Sequence, residues 1–93
     1  MNSLSKPVLS SNYMLYKEDG EIKEYYLFNV GEGNVFQLNS ASYDFLELCN
    51  GKCTSKEIYE ELSKMYSIDI SVLKNDFSEL YSNWIDSGII VEQ

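Results

Sequence analysis

Two different spacings of apolar residues divide the chain near Asn39. Before it, Asn12–Tyr16 and Glu24–Phe28 are rich in aromatic and aliphatic residues. They flank the charged segment Lys17–Glu21, in which Asp19-Gly20 is a turn dipeptide that tolerates positive φ, so the pair reads as a β-hairpin. A second turn, Gly31–Asn34, leads into Val35–Leu38, and three short antiparallel strands are predicted. From Asn39-Ser40 onward the spacing becomes helical, with Ala41, Phe45, Leu48 and Cys49 on one stripe, Asn39 or Ser40 as the cap and Asn50-Gly51 as the end. Thr54–Glu57 has the form of a capping box, opening a second helix whose Ile58, Leu62 and Met65 are expected to face inward. After the link Tyr66–Asp69, the stripe Leu73, Phe77, Leu80 and Trp84 marks a third and longest helix, capped near Ser71 and stopped by Gly88. Ile89–Val91 is too short to stand alone and is expected to pack back as an extended segment.

This order predicts an α+β fold, winged helix-turn-helix-like, in which a three-stranded antiparallel sheet is followed by a three-helix bundle. A length of 93 residues fits one domain, spanning 1–93. Residues 1–10 place Ser3, Ser5 and Ser10 around Pro7 without an apolar period, so a flexible arm with little order before about Val8 is expected. Composition agrees with a folded chain: 44% of residues are apolar and only one is proline.

Charge narrows the function. Fifteen acidic residues stand against seven lysines, with neither Arg nor His, for a net charge of −8. Nucleic-acid affinity rests largely on Lys and Arg neutralising phosphates, so polyanionic partners are disfavoured. No signal peptide and no apolar run of membrane-spanning length is present, and a cytoplasmic location with no membrane partner is the expectation. Cys49 and Cys53 are too sparse for a disulfide framework, and zinc needs about four ligands, so no metal and no cofactor are expected. Cys49 closes the first helical stripe as a small buried hydrophobe, while Cys53 is open to a reactive role. Without His there is no ordinary proton shuttle near neutral pH, and neither a phosphate loop nor a nucleophile elbow occurs. The reading is not an enzyme.

One set of motifs adds a sharper signal. Val35–Asn39, followed by Phe45–Gly51 and then Thr54–Ile58, resembles the pattern of the PqqD-like leader-peptide recognition elements, which serve enzymes that modify ribosomally made peptides. In that pattern a strand ends in Leu-Asn, a helix ends in an acidic-or-Asn-Gly turn, and a Thr-capped helix follows. Asp76-Phe77, Trp84 and Gly88-Ile89 continue the likeness, which covers roughly residues 8 to 91. Two departures are Asn50, where Asp is usual before Gly51, and Trp84, where Leu is more usual.

The resemblance implies a stand-alone binding module. It would capture the leader of a precursor peptide as an added strand and present it to a modifying enzyme, such as a radical SAM maturase or a lasso-peptide leader peptidase. By this analogy Val35, Phe36, Gln37 and Leu38 are the receiving edge. The facing helix offers Asp76, Phe77, Leu80 and Tyr81, with Lys74 and Ile85 beside them. Apolar leader side chains would bury against Phe77, Leu80 and Tyr81, and Asp76 would accept a hydrogen bond or pair with a leader Lys.

Plainer readings stand next to these. Phe77, Leu80 and Trp84 form the kind of stripe that is usually core. Asp76 falls in the first turns of the helix, where acids favour the macrodipole, and Lys74 reads as a surface charge. Tyr81 sits about 80° off the stripe's centre, at the margin where a helix face meets solvent or a partner. Two other functions remain open: a winged-helix transcription regulator binding DNA, and a structural subunit forming a homodimer through the same open edge. Against DNA, the third helix sets Lys74 against Asp76, Glu79 and Asp86.

Overall fold

The computed structural model describes residues 5–93. Strands β2 (Tyr13–Asp19), β3 (Lys23–Asn29) and β4 (Asn34–Leu38) form an antiparallel sheet in that order, and α1 (Ser40–Glu47), α2 (Ser55–Tyr66) and α3 (Ile70–Asp86) follow. The fold is therefore the expected α+β arrangement of a three-stranded antiparallel sheet and three helices. A separate two-stranded ribbon joins β1 (Pro7–Leu9) to β5 (Ile90–Glu92), antiparallel, with Val8 opposite Val91.

That ribbon changes the expectation for the N-terminus. Met1–Leu4, the start of the expected arm, lie outside the described residues, but the backbone is engaged from Ser5 onward. The Ser55 N–H donates to the Ser5 carbonyl at 3.0 Å, Lys6 and Gln93 exchange hydrogen bonds, and the Leu9 N–H donates to the Cys49 carbonyl at 2.9 Å. The segment carries no periodic signal because its partners are the C-terminal strand and the α1–α2 turn, far away in sequence. The tail, by contrast, packs back as an extended segment as its shortness predicted.

Strand alternation sorts the sheet into two faces. Leu27 is buried, and the Tyr25 ring lies 5.1 Å from that of Tyr43 on α1, so Tyr25, Leu27 and Asn29 look toward the helices. Cross-strand register puts Leu38 opposite Tyr25 and Phe36 opposite Leu27 on that same face, with Val35 and Gln37 on the other. The first hairpin turn is Gly20–Ile22, and Gly20 does not use the positive φ that the Asp-Gly dipeptide allowed. Positive φ falls instead on Gly33 in the second turn.

The helices follow their local signals, except that α1 ends at Glu47 with Leu48 as its C-cap, before the expected Asn50-Gly51. The Asn39 side chain caps α1 by accepting from the Ser42 N–H at 2.7 Å, and Thr54 with Glu57 closes a reciprocal capping box on α2. Phe45 is wholly buried at the centre of the bundle, its ring 5.0 Å from Phe77, 5.5 Å from Tyr59 and 5.5 Å from Trp84. Met65, expected to face inward, is exposed. The inward position in the last turn of α2 goes to Tyr66, four residues after Leu62, whose hydroxyl donates to Asp44 and ties α2 to α1. The third helix starts one residue before the expected Ser71 cap, with Asp69 at the cap position and making no side-chain bond there.

Of the five glycines, Gly51 has the closest surroundings. Its φ is +79°, and an added Cβ would lie 3.0 Å from Val8 Cγ2. Gly88 has a similar φ of +76° but nothing within 4 Å of such a Cβ. Gly51→Ala is therefore expected to cost more than the roughly 1–2 kcal/mol of left-handed backbone strain alone, and Gly88→Ala no more than that strain; urea denaturation of the two variants checks the order. The Glu57 carboxylate is held below the usual range first by the Thr54 backbone N–H and then by the Thr54 hydroxyl. Because the folded-state pKa lies below the unfolded one, this stabilisation is complete above the ordinary carboxylate range and lost as pH falls through the depressed value. The stability gap between wild type and Glu57→Gln should thus be present at neutral pH and close in strong acid, as read from denaturation across a pH series.

Candidate functional site

The sheet has two outer edges, and they differ in chemistry. β2 carries Lys17, Glu18 and Asp19, charges of the kind that keep an edge from pairing with foreign strands. β4 reads Asn34, Val35, Phe36, Gln37 and Leu38, with no charge and no proline, and pairs only with β3 among the described residues. Its free N–H and C=O groups are therefore available to an extended guest. Val35 is 52% exposed and Phe36 47% exposed. For Phe36 that figure matters: the residue lies on the helix-facing side opposite buried Leu27, yet about half of it stays in solvent.

A groove of about 430 Å³ opens where this strand ends. Asn39, the residue after β4, lines it together with Ala41 of α1, Ile68 of the α2–α3 link, and Asp76, Phe77 and Leu80 of α3. The floor is apolar, and Asp76 supplies a carboxylate at its side. None of Val35–Leu38 lines the groove itself; the open strand leads to it through Asn39.

The residues singled out on α3 do not form one surface. At about 100° per residue, Asp76 and Leu80 fall on one flank of the buried line Leu73, Phe77 and Trp84, whereas Lys74, Tyr81 and Ile85 fall on the other. Asp76, Phe77 and Leu80 accordingly meet in the groove. Tyr81 and Ile85 line a different hollow of about 270 Å³ near Glu92, and the Lys74 ammonium stands 6.0 Å above the Tyr59 ring. Tyr81, expected at a solvent margin, is only 3% exposed. The reason is the ribbon of β1 and β5, which covers that flank and could not be read from the period of α3 alone. Burial, and after it the charge of Glu92, raises the Tyr81 hydroxyl pKa above the ordinary phenolic range. Leu80, placed on the core stripe by its spacing, is only partly buried and forms part of the groove wall. Ser42, Tyr66 and Ile68 also border the groove. No sequence signal marks these three, because a groove border follows from how α1, α2 and α3 meet.

The thiols and carboxylates add little chemistry. Cys49 is buried, its Sγ donates to the Phe45 carbonyl at 3.3 Å, and burial pushes the thiol up to about 12. Such a thiol is inert near neutral pH. Cys53 is partly buried against the same core. Among the described residues no cluster of His, Cys, Asp and Glu could hold a metal ion, and no helix is long and apolar enough to cross a membrane.

The open strand, the capped helices and the groove occupy the part of the chain that a known family describes: residues 24–90 match the family model of coenzyme PQQ synthesis protein D, PqqD. The chain belongs to the PqqD family. The match begins in β3 and ends in β5, so it takes in β4 and the whole of the groove. Family membership points to a peptide-binding accessory protein in the synthesis of ribosomally made, modified peptides. No curated protein and no solved structure matches the chain significantly.

Core and groove roles on α3 are separable by mutation. Phe77→Ala, which empties the stack on Phe45, is expected to destabilise the PqqD fold by about 3–5 kcal/mol. Leu80→Ala should cost less than half as much, because its side chain already faces the groove; denaturant midpoints of the two variants measure this.

Proposed function

We propose that this PqqD-family chain is a stand-alone, non-catalytic module that captures the leader of a ribosomally made precursor peptide by strand addition on β4 and presents it to a modifying enzyme. The observation that carries the reading is the character of one edge: β4 is uncharged and has no strand on its outer side among the described residues, holds Phe36 half-exposed on its helix-facing side, and runs toward an apolar groove flanked by Asp76. Backbone pairing would supply affinity that tolerates sequence variation, and the groove would supply selectivity. Full burial of one large apolar leader side chain is worth about 1.5–3 kcal/mol. Several such contacts less the ordering cost of an extended peptide give micromolar binding.

Val35, Phe36, Gln37 and Leu38 are then the receiving strand. Asp76, Phe77 and Leu80 contact the leader directly, with Asp76 placed to accept from a leader Lys. Tyr81, Lys74 and Ile85 act at most from the opposite flank. The modifying enzyme is a radical SAM maturase or a leader peptidase, and the setting is the cytoplasm. A net charge of −8 opposes the reading of a DNA-binding regulator.

The test is a titration of isotope-labelled protein with the synthetic leader of a precursor encoded beside this chain's gene. Amide signals of Val35–Leu38 should shift together with those around Asp76–Leu80, and Phe36→Lys should weaken binding at least about tenfold by placing an unpaired charge in the interface. A leader that leaves the β4 amides unmoved would refute strand addition.

A further inference from the structure

The helix-facing side of β4 accounts for half of any added strand. Successive residues of an extended guest point alternately to the two faces of the sheet, so every second side chain would lie on the outer face, away from the groove. That face has its own composition. Register places Met14, Phe28 and Val35 in one cross-strand row and Tyr16, Tyr26 and Gln37 in the next. The rows touch: the Tyr16 ring lies 6.1 Å from Phe28, edge on, and 6.2 Å from Tyr26. Met14 and Val35, at the two ends of the first row, are both about half exposed or more.

The row stops at Val35 because the sheet stops there. A residue of the guest strand opposite Val35 would stand as Val35 stands to Phe28, a cross-strand neighbour on the same face. The charges on this face are also one-sided. Alternation turns Lys17 and Lys23 toward the helices, leaving Glu18 and Glu24 as the only charged side chains of the three strands on the outer face. An acidic guest side chain would find no cation there.

We propose that the guest peptide is read on both faces of the sheet, with an apolar or aromatic side chain opposite Val35 completing the row Met14, Phe28, Val35 on the outer face. This rests on the strand-addition reading and deepens it: the guest would be an extended segment with one apolar residue turned outward opposite Val35 and another, further along toward Asn39, turned to the groove. Val35 is then a specificity-determining residue, although it touches no part of the groove.

The experiment uses the full chain and a positional-scanning library of short synthetic peptides, with binding read by fluorescence anisotropy. For the wild type, one position outside the groove-facing set should prefer Val, Ile, Phe, Tyr or Trp over Asp and Glu by about two- to fivefold in Kd, the scale of a cross-strand pair. In Val35→Glu the preference at that position should move to Lys and Arg, and in Val35→Lys to Asp and Glu, while the groove-facing positions keep theirs. Val35 is solvent-exposed, so both variants should fold, and circular dichroism checks this. If peptides bind but neither charge change alters the preference at any outward position, the two-face inference is overturned and strand addition stands. If neither the library nor the leader binds the wild type, strand addition itself falls, and this inference with it.

Discussion

The stacking of α3 on Phe45 is the contact on which the rest of the structure depends. Phe45 is fully buried, and Tyr59 of α2 and Phe77, Tyr81 and Trp84 of α3 all bring their rings within 6 Å of it. Aromatic pairs of this kind add about 0.5–1.5 kcal/mol each beyond the area they bury. A small domain has few other ways to hold its helices in one arrangement. Because Phe77 and Trp84 are fixed on Phe45, the rotation of α3 about its axis is set. That rotation decides that Asp76 and Leu80 look into the groove and that Tyr81 does not.

The same packing leaves the sheet incompletely covered. The core takes in Leu27 of the central strand and part of Leu15 and Tyr13 on β2, but it leaves Phe36 on β4 half exposed. An aromatic residue on the core-facing side of an edge strand, half in water, is a local conflict between sequence pattern and burial. Such conflicts are expected where a site is built. The opposite edge resolves the same problem with charge, and its strand ends in Lys17, Glu18 and Asp19. The asymmetry of the two edges singles out β4 as the acceptor, and it is a property of side chains, since both edges offer the same backbone groups.

Much of the fold was legible in the chain because its signals are local. The change from alternating to helical spacing at Asn39, the capping box at Thr54 and the helix stop at Gly88 each act within a few residues, and each stands where expected. The errors have a common cause. Met65 falls on the apolar period of α2 yet is exposed, because only the neighbouring helices determine which side of a broad apolar stripe is innermost. The N-terminal residues from Ser5 looked unstructured because their order comes wholly from partners distant in sequence, with Lys6 bonded to Gln93 and Leu9 to Cys49. Tyr81 is buried for that same reason, since the ribbon it packs under is invisible to helical periodicity.

By itself the sequence determined the element order, the helix caps, the uncharged character of Val35–Leu38 and the family, since each resides in residues adjacent or regularly spaced along the chain. Only the tertiary structure decided that this strand is an edge with its hydrogen bonds unspent, that a groove opens at its end, and that Asp76, Phe77 and Leu80 share that groove while Lys74, Tyr81 and Ile85 do not. The physical reason is that a vacancy between elements is a relation among surfaces. It depends on helix rotation and strand neighbours, which long-range packing sets and no local pattern encodes.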